Sequence, residues 1–383
     1  MDKIIQKTTK LYKIFISLGT RADIIKMVPI IREMKKYKQF SLFICLSGQH
    51  KELAQLAIEE FSLQYDKDLQ VMKENQSLDY LLSTMLTGYS EEMKRYCPDI
   101  VLVHGDTATA LSAALAARYL QIPIVHIEAG LRTRSNTPFP EEFHRTLITD
   151  CAQWFMCPSE TDRANLLAER VNDKQIFITG NSVVDIIYDT VREDYTFTNT
   201  ILREFDFEQK KEIVITLHRR ELSLDELLNV CCAVQKVAAN VKDAVFLWPV
   251  HPNPRIKNVV RDNLGGLRNV ILLEPLSAHD MHNLIFRSAM VVTDSGGVQE
   301  EAYYLNKLML VLRYATERPD CFDKDRCKLV EPINVNIADE IIKILEQTTA
   351  GTDFSIIRQL SEKTGASKRI VSTIAATLEN GLE

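Results

Sequence analysis

Two doubly wound α/β domains, facing each other across a cleft, are what this sequence predicts, and three observations predict them. Short apolar runs alternate with longer amphipathic stretches along the whole chain. The runs are continuous rather than alternating in polarity, as parallel strands covered on both faces require. Charged or glycine-rich clusters then gather where the runs stop, at the edge where open parallel sheets bind ligands. At about 100–200 residues per domain, 383 residues divide naturally into two such domains, assigned to 1–190 and 191–360, with a tail at 361–383.

In chain order, the first half offers strands at Ile14–Leu18, Ser41–Leu46, Ile100–Val103, Ile124–Ile127, Trp154–Met156 and Ile176–Ile178. The second offers Ile213–Leu217, Ala244–Trp248, Val270–Leu273, Met290–Thr293 and Met309–Leu312. Helical periodicity fills the gaps, for example at Ile24–Tyr37, Ala108–Tyr119, Leu224–Ala239 and Val298–Leu305. Repeated βα winding of this kind builds a parallel sheet. Val191–Gln209 breaks the rhythm with mixed charge and no period, so the linker is expected there, after a helix begun by Asn181–Thr190. Ile356–Leu382 reads as a helical tail.

Composition excludes several classes of function. The 46% hydrophobic content rules out wholesale disorder. With 46 Lys+Arg against 52 Asp+Glu and a net charge of −6, electrostatic binding of nucleic acid is a poor first choice. No apolar run approaches the ~20 residues that span a bilayer, and Ile14–Leu18 is too short for a signal sequence. The eight cysteines contain no C-x-x-C spacing and read as reduced thiols, so a cytoplasmic location is expected. The eight histidines contain neither H-x-x-x-H nor H-E-x-x-H, so no metal is expected.

The polar clusters carry the chemistry. Asp294-Ser295-Gly296-Gly297-Val298-Gln299-Glu300-Glu301 follows a strand and opens a helix. Ser295 suits an N-cap, and Gly296 and Gly297 let a diphosphate approach the positive helix end. Glu301, one turn on, suits sugar hydroxyls; an ordinary capped turn is the competing explanation. Gly19-Thr20-Arg21-Ala22-Asp23-Ile24-Ile25-Lys26 is a second such turn, with Arg21 and Lys26 able to face an anion. Neither G-x-G-x-x-G nor the P-loop pattern occurs, which weakens dinucleotide and nucleoside-triphosphate readings. Asp106, Glu128, Glu141 and Glu142 concentrate carboxylates suited to acid and base work, although Glu142 weighs equally as a solvated helix start. His218-Arg219-Arg220-Glu221 and His251 bring imidazole and guanidinium groups to the second domain's edge, for binding phosphate.

Taken together, these stretches resemble the non-hydrolysing UDP-N-acetylglucosamine 2-epimerases. The matching segments are Gly19–Lys26, Ser47–His50, His104–Thr107, His126–Thr133, Pro138–Arg145, Thr179–Asn181, His218–Glu221, Pro249–Pro254, Thr293–Glu301 and Thr316–Pro319. The resemblance implies two Rossmann-like domains of the glycosyltransferase-B type, with the C-terminal helix returning to the first. It also implies a homodimer acting on a UDP-2-acetamido sugar without metal, nicotinamide or other cofactor. Asp106, Glu128 and Glu141 match the family's catalytic carboxylates and His218 its catalytic histidine. Arg21, Lys26, Arg145, His251, Met281, Ser295, Gly296, Gly297, Glu301 and Arg318 match or fall beside its UDP-sugar contacts.

The chain departs from that family at Ala22-Asp23, where Pro-Glu is usual, and at Leu222, where Asn is usual. It departs again at Met281, aligned with an aromatic that stacks on uracil, and at Asn75, aligned with an Arg of a regulatory site. The residues Asp320–Arg326 also differ from the usual loop. The competing functions are a hydrolysing 2-epimerase releasing free sugar, a glycosyltransferase of the same fold, and an inert UDP-sugar sensor.

Overall fold

The computed structural model describes residues 10–49, 51–73, 76–207, 209–219, 222–322, 325–348 and 352–380. Two compact units divide between Asp185 and Ile186 and again between Thr364 and Gly365. The first contains β1 (Tyr12–Leu18), α1 (Arg21–Met34), β2 (Phe40–Leu46), α2 (Lys51–Glu60), β3 (Lys67–Asp68), α3 (Leu78–Tyr96) and β4 (Ile100–His104). It continues through α4 (Ala108–Tyr119), β5 (Ile124–Ile127), α5 (Glu141–Cys151), β6 (Trp154–Cys157), α6 (Glu160–Ala168), β7 (Ile176–Ile178) and the start of α7 (Val183–Thr190). The second holds α8 (Thr200–Arg203), β8 (Lys211–Thr216), α9 (Leu224–Asn240), β9 (Ala244–Pro249), α10 (Pro254–Leu264), β10 (Val270–Leu273) and α11 (Ala278–Arg287). Then follow β11 (Met290–Thr293), α12 (Gly296–Tyr304), β12 (Leu308–Leu312), β13 (Cys327–Val330), α13 (Ile337–Glu346) and α14 (Ser355–Lys363), before α15 (Ala366–Glu379) rejoins the first unit.

Both sheets are parallel throughout. The first runs β3-β2-β1-β4-β5-β6-β7 and the second β10-β9-β8-β11-β12-β13. In each, chain order reverses beside the first strand, between β1 and β4 and between β8 and β11. That reversal leaves a crevice beyond the carboxyl ends of the strands. The apolar runs form these strands because both faces are covered: Ile14, Phe15 and Ile16 are fully buried, as are Ile213, Val214 and Ile215.

Helix α4 explains how the first sheet is covered closely. Its six alanines are all buried, and they pack with Phe15, Met85, Tyr89 and Val101 in one cluster. Small side chains let the helix lie near the sheet while α3 and α5 flank it. The second core is built differently, around the large side chains Phe246 and Trp248, with Val230 and Val234 of α9, Val260 of α10 and Ile341 of α13.

Capping sets the helix starts more sharply than periodicity does. Thr20 Oγ1 accepts from the Asp23 N–H while the Asp23 carboxylate accepts from the Thr20 N–H, so α1 starts at Arg21 rather than Ile24. It ends at Met34, short of the expected Tyr37. The tail expected as one helix is two. Gly365 adopts φ +94°, and its N–H and that of Ser367 donate to Asp185 (2.6 and 2.7 Å). Helix α15 then packs on α1, with the Tyr12 hydroxyl donating to the Leu378 carbonyl (3.0 Å).

The segment Val191–Gln209, where the linker is expected, has defined partners. Asp280 of α11 accepts from the Tyr195 and Thr198 hydroxyls and from the Thr198 and Asn199 N–H groups, which pins it to the second unit. The contact boundary lies earlier, within α7. Two strands went unanticipated: β3 is only two residues long, and Cys-Lys-Leu-Val of β13 is too short and mixed to stand out. Among the described residues no helix is long and apolar enough to cross a membrane, and all eight cysteines are free thiols. Ala114→Leu overfills the interface of α4 and should lower stability by about 1–3 kcal/mol, read as a lower urea midpoint with native circular dichroism retained.

Candidate active site

At the carboxyl edge of the first sheet, four ionisable side chains line up out of water. Asp23, Lys26 and His104 are each 4% exposed. Lys26 Nζ forms a close ion pair with Glu128 Oε2. His104 lies between two carboxylates, Nδ1 at 3.7 Å from Asp23 and Nε2 at 3.5 Å from Glu128. Glu128 itself sits in the left-handed region, at φ +63°. A side chain there is strained, and strain of this kind persists only where surrounding contacts hold it. Gly19 brings the β1–α1 turn close: a Cβ would collide with the hydroxyls of Thr109 and Ser47.

A second cluster follows β4. Arg145 of α5 pairs closely with Asp106 and donates to Glu142 (2.7 Å). His144 Nδ1 donates to the Asp106 carbonyl (2.9 Å), which binds the helix to the same turn. Glu142 is no solvated helix start: it accepts from the Thr133 and Arg134 N–H groups at 3.0 Å and organises the loop before α5. Glu141 opens α5 and Arg21 opens α1, both partly buried. Below them His126 Nε2 donates to the Gly105 carbonyl (2.8 Å).

At the edge of the second sheet Asp294 is the anchor. Its carboxylate accepts from the His218 and Arg219 N–H groups (both 3.0 Å) and lies 3.2 Å from His218 Nδ1. Burial alone would raise this carboxyl, but His218 and the backbone donors hold it below its ordinary value. The His218 ring stacks on His251 at 6.1 Å between centroids, and His251 Nδ1 accepts from the Asn253 N–H. Ser295 caps α12 by accepting from the Val298 N–H (3.4 Å). Arg318 lies against the turn, tied to Glu300 (2.8 Å) and closely to Glu317, and a Cβ on Gly296 would run into that guanidinium. Glu301 Oε1 lies 4.0 Å from where a Gly297 Cβ would be. Met281 is buried on α11.

The described candidates from the sequence, other than Met281 on α11, thus lie in the loops and first two helical turns that follow strands in one unit or the other. Arg220, Glu221, His50 and Asn75 lie outside the described residues. Sequence reasoning gave no role to Asp294, His104 or Asp23, although all three fall within quoted motifs. It missed His282 altogether, since a histidine within an amphipathic helix carries no signal of its own.

A profile described as UDP-N-acetylglucosamine 2-epimerase matches residues 32–375. The UDP-N-acetylglucosamine 2-epimerase of Bacillus subtilis is 36% identical over 369 residues, 95% of each chain. The chain belongs to the UDP-N-acetylglucosamine 2-epimerase family. Among solved structures, the S. aureus MnaA–UDP co-structure superimposes with a TM-score of 0.86 at 33% identity, covering 97% of this chain and 98% of that one. The Neisseria meningitidis UDP-GlcNAc 2-epimerase bound to UDP-GlcNAc gives 0.83 at 32% identity, covering 96% and 100%. This epimerase family's fold of two parallel α/β sheets is therefore the fold seen here.

One consequence of the site's burial is a pH dependence. Burial, with the charges of Arg132 and His104, lowers His126 from 6.5 to about 4 against the opposing bond to Gly105. Above pH 6.5 the ring is neutral folded or unfolded; between 6.5 and 4 only the unfolded chain takes the proton. Stability should therefore fall as the pH drops through that window, with a slope approaching about 1.4 kcal/mol per unit. Burial shifts His144 the same way. Urea titrations at pH 7, 6 and 5 should show a shallower decline for His126→Gln, which keeps an N–H donor for Gly105.

Proposed function

We propose that this epimerase interconverts UDP-N-acetylglucosamine and UDP-N-acetylmannosamine, or a closely related UDP-2-acetamido pair, by losing and regaining UDP. The hydrogen on C2 has no adjacent carbonyl to acidify it, so direct deprotonation to a carbanion is a poor route. Elimination avoids that difficulty. A carboxylate takes the C2 proton as the C1–O bond breaks, the bonding electrons leave with UDP, and a glycal remains. UDP oxygen then re-adds at C1 while a proton returns to the opposite face of C2. No step of this route oxidises or reduces the sugar, so it calls for no hydride carrier.

The observation that carries this reading is Glu128, held in a strained backbone, out of water, against Lys26 and beside His104. Such a carboxylate is placed for proton transfer rather than for solubility. Asp106 and Glu141 supply further carboxylates, with Asp106 taken as the base near C2 and His218 as a further proton-transfer group. Arg21 and Lys26 stabilise the charge that develops on the leaving diphosphate. Ser295, Gly296, Gly297 and Arg318 hold the diphosphate end, Glu301 the ribose, His251 and Met281 the nucleotide, and Arg145 orients Asp106. The nucleotide contacts thus fall mainly on the second unit and the carboxylates on the first, and water must be excluded so that the glycal is not lost.

The protein is further read as a cytoplasmic homodimer whose product feeds cell-surface polysaccharide synthesis. A hydrolysing epimerase is the second reading, favoured by the Gly-Thr-Arg-Ala-Asp opening at 19–23.

Turnover in deuterated water should place deuterium at C2 of both epimers, and an ¹⁸O label in the C1–O–P bridge should scramble with the non-bridging oxygens of the β-phosphate. Stoichiometric free sugar would support hydrolysis instead, and a label that stays in place would refute elimination. Glu128→Gln should lower kcat by about 10²–10⁴ while the protein still binds UDP. Gly296→Ala, which drives a methyl group into Arg318, should weaken UDP binding in calorimetry by about tenfold, the equivalent of ~1.4 kcal/mol.

A further inference from the structure

Three of four successive residues on α11 grip the chain that leads into the second unit, and one of them also reaches the nucleotide turn. Asp280 holds Tyr195, Thr198 and Asn199. Asn283 accepts from the Arg192 N–H (3.1 Å) and donates to the Thr190 carbonyl (2.9 Å). His282, 1% exposed, places Nδ1 at 2.7 Å from Thr190 Oγ1 and Nε2 at 3.7 Å from Glu301 Oε1.

Thr190 has one hydroxyl proton, and the carbonyls of Ile186 (2.8 Å) and Ile187 (3.2 Å) compete for it with His282 Nδ1. Where that proton goes to Nδ1, the neutral ring carries its own on Nε2 and turns a donor, rather than a lone pair, toward Glu301.

The geometry points to His282 as the positioning residue of Glu301, fixing the carboxylate that accepts the ribose hydroxyls of the nucleotide. This rests on the proposed reading of Glu301 as the ribose contact. His282 is too deeply buried to touch the nucleotide, so its effect passes through Glu301 and depends on the hydroxyls being there. A histidine that orients a neighbouring group through its far nitrogen is a familiar device at metal sites; here the oriented group is a carboxylate.

Calorimetric titration of the full chain with UDP and with 2′,3′-dideoxy-UDP tests the assignment. His282→Leu should weaken UDP binding about tenfold and leave the dideoxy nucleotide unchanged. His282→Gln, which returns an N–H near the position of Nε2, should recover most of the loss. Thr190→Val should shift UDP in the same direction by a smaller factor, again sparing the dideoxy compound. Equal weakening of both nucleotides, or no recovery with Gln, overturns the assignment. Should His282→Leu fail to fold, His282→Gln near wild type together with a ribose-selective Thr190→Val supports it, and any other pattern overturns it. Glu301→Gln separates the two levels. If that variant leaves the ratio of the two affinities intact, the ribose reading of Glu301 falls and takes the assignment with it; if it collapses the ratio and His282→Leu does not, only the role of His282 falls.

Discussion

Lys26 and Glu128, buried against each other, set the terms for the first unit's sheet edge. Each charge alone would lose several kcal/mol of hydration inside the protein, and together they recover it only through close geometry. The surroundings supply that geometry. Thr20 and Asp23 fix the first turn of α1 and so the direction of Lys26; the left-handed backbone at residue 128 turns the carboxylate to meet it.

The second unit solves a different problem with the same topology. Its turn at Ser295–Gly297 is built from a capped helix start, and Arg318 beside it is held by Glu300 and Glu317. Glu317 also holds Arg313 (2.8 Å), so two guanidinium groups and two carboxylates form one ion-pair network against the turn. Asp294 performs a parallel task for the loop after β8, where backbone N–H donors and His218 converge on one buried carboxylate.

Most strands were legible because both faces of a parallel sheet are covered, and eleven continuous apolar runs therefore mark eleven of the thirteen strands among the described residues. The site edges were legible for a related reason: a run that must be apolar inside the sheet can turn polar only where it leaves. Partnership was not legible. Glu142 looks in sequence like any acidic residue in a first turn, and only the fold shows the Thr133 and Arg134 N–H groups converging on it. The segment after Thr190 shows the same limit: its mixed charge marks no partner in sequence, and Asp280, about eighty residues away, supplies one. Local pattern reports burial well and long-range polar contacts poorly, because one Asp reads the same whether water or a hydroxyl pairs with it.

The departures from the family pattern gain meaning from the same contacts. An acidic residue at position 23 closes the capping box with Thr20, and Asp does so as the usual Glu would, with one methylene fewer. The shorter side chain still brings Oδ1 within 3.7 Å of His104, and the Thr107 hydroxyl donates to Oδ2 from 3.4 Å. Alanine in place of proline at 22 costs little, since a helix already fixed by its cap gains less from a preset φ. Leu222 packs against the apolar core of the second unit, so a residue at a usually polar position is held by burial. The remaining departure is Met281. On α11, between Asp280 and His282, its backbone is held on both sides by their hydrogen bonds, so the flexibility of its side chain is confined to its own torsions. A soft side chain on a rigidly anchored helix can change its shape without changing its place.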